Sequence, residues 1–275
     1  MIPVAFDYVR ATSADEALAA LAEHGDEAKL IAGGHSLLPM MKLRLAYPSV
    51  LVDIGRLNDL SYINDAGDHL AIGALTRHRD IETSELVATH APLLSGATGQ
   101  VGDPQVRHRG TIGGALAHAD AAADQPSVFL ALDASVVVRG PDGERVISGA
   151  DLFSGFLESS LEPTEMITEL RVPKHTGSGW NFQKFNRRAQ DWAIVGVSAQ
   201  RTDNGANVAL VNMHPTPIRA TAVEEALASG ASAADAADQA AEGMSPSSDL
   251  NASVEYRQHL ARVLTRRALA AAGIS

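Results

Sequence analysis

The chain has 275 residues, 45% of them hydrophobic and 20% charged, with a formal net charge of −11 and no cysteine. That length allows a sizeable core in one large or two ordinary domains, and the acidic balance argues against nucleic acid, because no basic stripe exists to release phosphate counterions. Without cysteine the polypeptide has no disulfide framework, thiolate metal cage or cysteine nucleophile, and no iron–sulfur cluster of its own.

The N-terminus lacks the basic and apolar regions of a signal peptide. No apolar run approaches the roughly 20 residues needed to span a bilayer. A soluble cytoplasmic protein is expected.

Ser13 followed by Glu16 forms a capping box, and Gly25 is a natural stop for the helix between them. Residues 29–32 and 50–54 read as short buried strands, so the first fifty-five residues form a small β-α-β-β unit. Residues 69–75 form another strand, after which Thr76 can cap a helix running toward Val87. Pro92 opens a further helix toward Gly102. Residues 135–138 and 145–147 flank the turn Gly140–Gly143 as a hairpin, and 165–172 is a strand closed by Pro173. Residues 175–179 are the best linker candidate. Beyond them, 181–185, 193–200 and 206–213 read as three strands, and an alanine-rich helical region follows Arg219. The last helix is expected to bury Tyr256, Leu260, Val263 and Leu264.

Two glycine pairs stand out, Ala32-Gly33-Gly34-His35-Ser36 and Thr111-Ile112-Gly113-Gly114-Ala115. Each offers successive N–H groups with no Cβ in the way, which is the composition of an anion nest. A lone glycine pair is otherwise a tight turn. Here Ser36 and Thr111 add hydroxyls that can donate to phosphate oxygens. Neither pair has the spacing of a dinucleotide-binding fingerprint or of a P-loop. The stretch from Arg107 to Pro126 is dense in polar groups. Within it Asp124 is either a solvated loop carboxylate or an acceptor for a ribose hydroxyl. His118-Ala119-Asp120 resembles a metal fragment but lacks the companion histidines, so no metal is expected. Lys184 alternates with Phe182 and Phe185 and is either an ordinary exposed lysine or a site residue. Trp192 is either core or the cover of a ring system.

These residues carry a resemblance. Ile31 to Pro39 with Lys42-Leu43-Arg44, Arg109 to Gly114, Leu116 to Asp120, and Asn186 to Ile194 resemble the flavin-binding medium subunit of the molybdenum hydroxylases. That family includes carbon monoxide dehydrogenase, nicotine and caffeine dehydrogenases and the central part of xanthine dehydrogenase. The likeness is collinear from about Phe6 to the C-terminus. It implies an α+β fold. A two-subdomain FAD-binding domain of the vanillyl-alcohol-oxidase type would cover residues 1–176, dividing near 56. A smaller α/β domain with a three-stranded antiparallel sheet would cover 177–275.

The resemblance also implies non-covalent FAD and assigns its contacts. Lys29 and Ile31, Ala32, Gly33, Gly34, His35, Ser36 and Leu37 would wrap the pyrophosphate. Thr111, Gly113, Gly114 and Ala115 would form the second wall, and Asp124 would take the ribose side of the adenosine half. Ile167 would line the flavin pocket, Lys184 would offer its charge to the reduced ring, and His118 and Trp192 would lie nearby. Ala115 stands where the family usually has Asn or Ser, which removes one side-chain hydrogen bond. No residue is expected to act as an acid–base catalyst.

The implied role is electron transfer, from [2Fe-2S] clusters on a small partner chain to an external acceptor. Molybdopterin would sit on a large partner chain, in a dimer of heterotrimers. The alternatives are a free-standing flavin oxidoreductase of the same fold and a non-redox nucleotide-binding module. The substrate and the final acceptor lie outside this chain's sequence.

Overall fold

The computed structural model describes residues 1–275. The N-terminal unit runs β1 (Asp7–Arg10), α1 (Ala14–His24), β2 (Ala28–Ile31), α2 (Leu37–Leu43) and β3 (Val50–Asp53). Its strands pair in parallel in the order β1-β3-β2. The central strand is the apolar run Val50-Leu51-Val52, all buried, as a parallel strand covered on both faces requires. Ser13 caps α1 by accepting from the Glu16 N–H (3.1 Å), and Gly25 ends it at φ 53°. Glu16 reaches back one residue further than a capping box would, to the Thr12 N–H and hydroxyl (both 2.7 Å). The unit is therefore β-α-β-α-β and not the expected β-α-β-β. Pro39 disguised α2 in the sequence, yet it falls in the first turn, where no intrahelical N–H is needed.

The second unit adds β4 (Ile63–Asp65), β5 (His69–Gly73), α3 (His78–Thr83), α4 (Glu85–His90), α5 (Pro92–Thr98), α6 (Pro104–Arg107), α7 (Ile112–His118) and α8 (Asp124–Ala131). It continues with β6 (Ser135–Gly140), β7 (Gly143–Ser148), α9 (Gly149–Leu152), β8 (Phe153–Gly155), β9 (Glu158–Ser159) and β10 (Met166–Pro173). The antiparallel sheet is ordered β4-β5-β10-β6-β7. The expected hairpin forms from Ser135–Gly140 and Gly143–Ser148. Thr76 does not cap a helix. Its hydroxyl donates to Tyr62 O (3.0 Å) and accepts from the Tyr62 N–H, while Ser84 caps a separate helix, α4. The second glycine pair is helical rather than a loop, because Gly113 and Gly114 lie in the first turn of α7.

The C-terminal unit contains β11 (Trp180–Phe185), β12 (Val195–Thr202), β13 (Gly205–Val211), β14 (Ile218–Arg219), α10 (Thr221–Ala228), α11 (Ala233–Asp238) and α12 (Val254–Ala271). Its sheet has four antiparallel strands, not three. The fourth is a two-residue strand, paired with Ala209 and Leu210, too short to show a period of two. Alternation along β12 and β13 divides the cores. Val195, Val197, Val208 and Leu210 face α10–α12, whereas Ala209 and Val211 join Val128 of α8 in the 28-residue core of the second unit.

The 175–179 segment is tethered rather than free. His175 N–H donates to His90 O (2.7 Å), and a Cβ on Gly179 would meet Ala272 O at 2.0 Å. On α12 the buried stripe is Arg257, Leu260, Ala261, Leu264, Thr265 and Ala268, while the expected Tyr256 is 43% exposed. The helix is thus rotated by about one residue from the apolar reading, because Arg257 goes inward as a cation held by Ile194 O and by Asp249 (2.8 Å). No helix is long and apolar enough to cross a membrane.

Candidate FAD site

All three units meet at one cavity of about 1130 Å³. That volume exceeds the ~300–1,000 Å³ of ordinary small-ligand pockets and suits an extended dinucleotide. Its walls come from the chain after β2, the N-terminal half of α7, the start of α8, β10, and the segment between β11 and β12. Every cofactor residue expected from the sequence lines it: Lys29, Ile31 to Leu37, Thr111, Gly113, Gly114, Ala115, His118, Asp124, Ile167, Lys184 and Trp192.

The two glycine stretches touch. A Cβ on Gly33 would lie 2.3 Å from Arg109 O and 3.1 Å from Gly110 Cα. Residues 110–113 in turn run antiparallel along the backbone that follows β5. His78 N–H donates to Gly110 O (3.0 Å), Ile112 N–H to Thr76 O (3.1 Å), and Gly113 N–H to Ala74 O (2.9 Å). Gly33 and Gly113 are therefore glycine so that main chains can approach one another. Gly34, at φ 76°, is the one that bends the first loop.

The backbone N–H groups of Gly33, Gly34, His35, Ser36 and Leu37 donate to nothing within the chain, and neither does that of Gly114. Five consecutive uncommitted donors with a left-handed residue among them form an anion nest. Across the cavity, Thr111 Oγ1 is buried without a partner.

Asp124 and Lys184 form a buried ion pair at 2.6 Å, with side chains only 4% and 3% exposed. Lys184 Nζ also donates to Gln100 O (3.0 Å). Burial raises the Asp124 carboxyl to about 6 against the opposing pull of Lys184. Its second oxygen, Oδ1, is buried and accepts no hydrogen bond. A carboxylate oxygen left in that state costs free energy unless a ligand hydroxyl or amide reaches it. Asp124 is thus no solvated loop carboxylate, and Lys184 no ordinary exposed lysine. Its ammonium places two of its three donors on Asp124 and Gln100 O.

Trp192 belongs to neither core, being 70% exposed at the mouth of the cavity. The other tryptophan, Trp180, packs on α5, where a Cβ on Gly96 would meet its ring at 2.5 Å.

Several lining residues escaped the sequence. His78 is buried with Nδ1 unpartnered, and burial, reinforced by His35, lowers it to about 4, so it is neutral at pH 7. His35 itself is lowered by burial and by Arg109. Gln125 donates to Thr98 Oγ1 (2.9 Å) and leaves Oε1 unpaired. Asn212, at φ 60°, ties Ala121 O (2.7 Å) to Ala193 O (2.9 Å) and so joins the α7–α8 turn to the start of β12. No motif marks these positions. A polar residue embedded in an apolar stretch, as Gln125 is beside Pro126 and Val128 to Leu132, was the one available signal.

Comparison with known proteins places this architecture. A family model described as the FAD binding domain in molybdopterin dehydrogenase matches residues 4–175. A second, the CO dehydrogenase flavoprotein C-terminal domain, matches residues 180–272. The chain is 42% identical to the 6-hydroxypseudooxynicotine dehydrogenase complex subunit alpha of Paenarthrobacter nicotinovorans, over 99% of this chain and 96% of that one. It is 39% identical to the carbon monoxide dehydrogenase medium chain of Hydrogenophaga pseudoflava, over 99% and 98%. The solved carbon monoxide dehydrogenase of that organism superposes with a TM-score of 0.95 at 40% identity, covering 99% of both chains. Quinoline 2-oxidoreductase from Pseudomonas putida 86 superposes at 0.91 with 34% identity, over 99% of each. The chain therefore belongs to the FAD-binding medium subunits of the CO dehydrogenase type of molybdenum hydroxylase, a family of oxidoreductase subunits.

Proposed function

We propose that the chain binds one FAD non-covalently in the three-unit cavity and serves as the electron-transfer subunit of a cytoplasmic heterotrimeric hydroxylase. A small iron–sulfur subunit and a large molybdopterin subunit complete the assembly, which is duplicated as a dimer of heterotrimers. The chemistry supplied by the bound cofactor is the exchange of single electrons for pairs. The observation that carries the reading is the run of uncommitted N–H donors from Gly33 to Leu37, in one cavity with the unpartnered Asp124 Oδ1. A dinucleotide needs both, donors for its diphosphate and an acceptor for its sugar hydroxyls. The names of the relatives, a complex subunit alpha and a medium chain, support assembly with other chains.

In this reading the nest and the Ser36 hydroxyl hold the diphosphate from one side, with Lys29 at the rim. The Thr111 hydroxyl and the Gly114 N–H close the other side, on the first turn of α7, where the helix end favours negative charge. Gly113 lets α7 sit close enough to Ala74 to present that turn, and Ala115 and His118 continue the same wall. Asp124 Oδ1 accepts from the ribose, and Lys184 fixes the carboxylate so that this oxygen stays aimed. Ile167 supplies apolar wall, and Trp192 covers the mouth. None of these groups transfers a proton to a substrate, which separates the reading from a free-standing flavin oxidoreductase.

The test is the absorption spectrum of the purified chain after incubation with FAD and gel filtration. Flavin bands that travel with the chain, and that acid precipitation releases, are the expected result. A chain that stays colourless overturns the reading, and steady turnover of a small organic substrate by the isolated chain favours the free-standing enzyme.

Ala115 gives a graded check. Restoring asparagine there adds one hydrogen bond, about 0.5–1.5 kcal/mol, so A115N should tighten FAD by roughly 2- to 10-fold, read by flavin fluorescence titration.

A further inference from the structure

Helix α8 is buried along its whole length, from Asp124 to Ala131, yet three of its first four residues are polar. Ser127 is engaged within the chain, its hydroxyl lying 2.9 Å from both Asp124 O and Ser198 Oγ. Asp124 and Gln125 are not. Each keeps one buried oxygen, Oδ1 and Oε1, that accepts no hydrogen bond, and both residues line the FAD cavity. Gln125 is only 2% exposed. Two adjacent buried acceptors without donors cost the empty chain free energy that a suitable ligand recovers.

The direction of the Gln125 amide is fixed by its neighbours. Thr98 Oγ1, on α5, gives its single proton to Leu94 O (2.6 Å). Toward Gln125 it can therefore only accept, and it lies 2.9 Å from Nε2. An amide turned over would set oxygen against oxygen, so Oε1 points away from Thr98. The Asp124 carboxylate is held in a comparable way, because Lys184 binds Oδ2 (2.6 Å) and is itself anchored on Gln100 O (3.0 Å). Consecutive residues thus each present one fixed oxygen, held by a threonine on α5 and a lysine on β11. A diphosphate brings only acceptors and cannot satisfy them. A vicinal diol brings two O–H donors on neighbouring carbons, each free to rotate toward its own acceptor.

We propose that Gln125 takes one hydroxyl of the adenosine ribose of FAD while Asp124 takes the other, with Thr98 as the positioning residue that keeps the amide oxygen presented. The proposal rests on the FAD reading above and adds a selectivity to it: the site requires an intact 2′,3′-diol. A site built to bond a hydroxyl rejects the analogue that lacks it, because a buried polar group is then left unpaired.

The test titrates FAD, and the FAD analogues carrying 2′-deoxyadenosine or 3′-deoxyadenosine, into the full chain at pH 8 by flavin fluorescence. Urea denaturation of the FAD-free chain runs alongside. The variants are Q125M, T98V and Q125M/T98V, since methionine is unbranched like glutamine and only a weak acceptor. Q125M should bind FAD roughly 10-fold more weakly, yet unfold at a urea concentration no lower than wild type, because the unpaired oxygen is gone. Toward one of the two analogues Q125M and wild type should bind alike. T98V should weaken FAD by about 3-fold in the wild-type background and add nothing in Q125M, as expected of residues acting through one contact. Wild-type FAD affinity in Q125M overturns the proposal, and lower stability with unchanged affinity assigns Gln125 to packing alone. The full Q125M effect on both analogues puts the donor elsewhere on the cofactor and overturns it too. If Q125M does not fold, T98V decides, by weakening FAD but not that analogue. A wild-type chain that takes no FAD overturns the FAD reading itself, whereas one that binds FAD and ignores both substitutions overturns this proposal only.

Discussion

Replacing Lys184 by methionine is expected to lower the unfolding free energy by about 3–5 kcal/mol at pH 8, the cost of leaving a buried charge without its partner. The partner is Asp124, 2.6 Å away, and both side chains are almost wholly buried. The loss should shrink in acid. Burial already raises Asp124 to about 6 in the folded chain, above its ordinary 3.8. A group raised on folding contributes most below its unfolded value, and the contribution is lost as pH rises through the folded one. Stability from this group is therefore greatest below about pH 4 and falls toward pH 6, and removal of Lys184 extends that fall to higher pH. Urea denaturation of K184M at pH 5 and pH 8 reads the difference. The double variant D124N/K184M has no buried charge and should recover most of the stability with little pH dependence. It should still bind FAD weakly, because the free carboxylate oxygen is gone. Equal stability loss in K184M at both pH values would show that the pair does not titrate as described.

That pair shows where reading the sequence stops. Asp124 and Lys184 were singled out by resemblance, but their contact across 60 residues has no local signature. It arises because the Lys184 side chain reaches from β11 to the first residue of α8. Local chemistry was legible wherever one short segment decides it. Ser13 and Gly25 bound α1, and Pro141-Asp142-Gly143 turns β6 into β7. Features set by distant contacts were not. The rotation of α12 follows from Arg257 finding Ile194 O and Asp249, which overrides an apolar stripe built on Tyr256 and Val263. The small C-terminal sheet gains a fourth strand only because Ile218 and Arg219 reach Leu210 and Ala209. The glycines are the clearest case. Their composition suggested room for an anion, yet two of them are required by neighbouring main chain, a reason visible only once the loops are side by side.

Gly33 tests that distinction. An alanine there places its Cβ 2.3 Å from Arg109 O, and backbone cannot yield as a side-chain tip can. The first loop must lift away from residues 109–110, which separates the two walls of the cavity. Overpacking of this kind costs about 1–3 kcal/mol, so G33A should unfold at lower urea than wild type. Its FAD affinity should fall further, since donors on the two walls no longer converge. Loss of two hydrogen bonds to a charged group, each about 1.5–3 kcal/mol, corresponds to roughly 100-fold or more. Gly114 is the contrast. An alanine at this exposed position meets only the Thr111 hydroxyl, at 2.7 Å, which can rotate away. G114A should therefore keep its stability or gain about 0.4–1 kcal/mol from the reduced freedom of the unfolded chain, while its Cβ, lying between the donors of the second wall, weakens FAD alone. Parallel urea and FAD titrations of the two variants separate the roles: both properties fall in G33A and only one in G114A. A G33A chain as stable as wild type would mean that the loops are not held in contact, and the two-walled clamp would have to be abandoned.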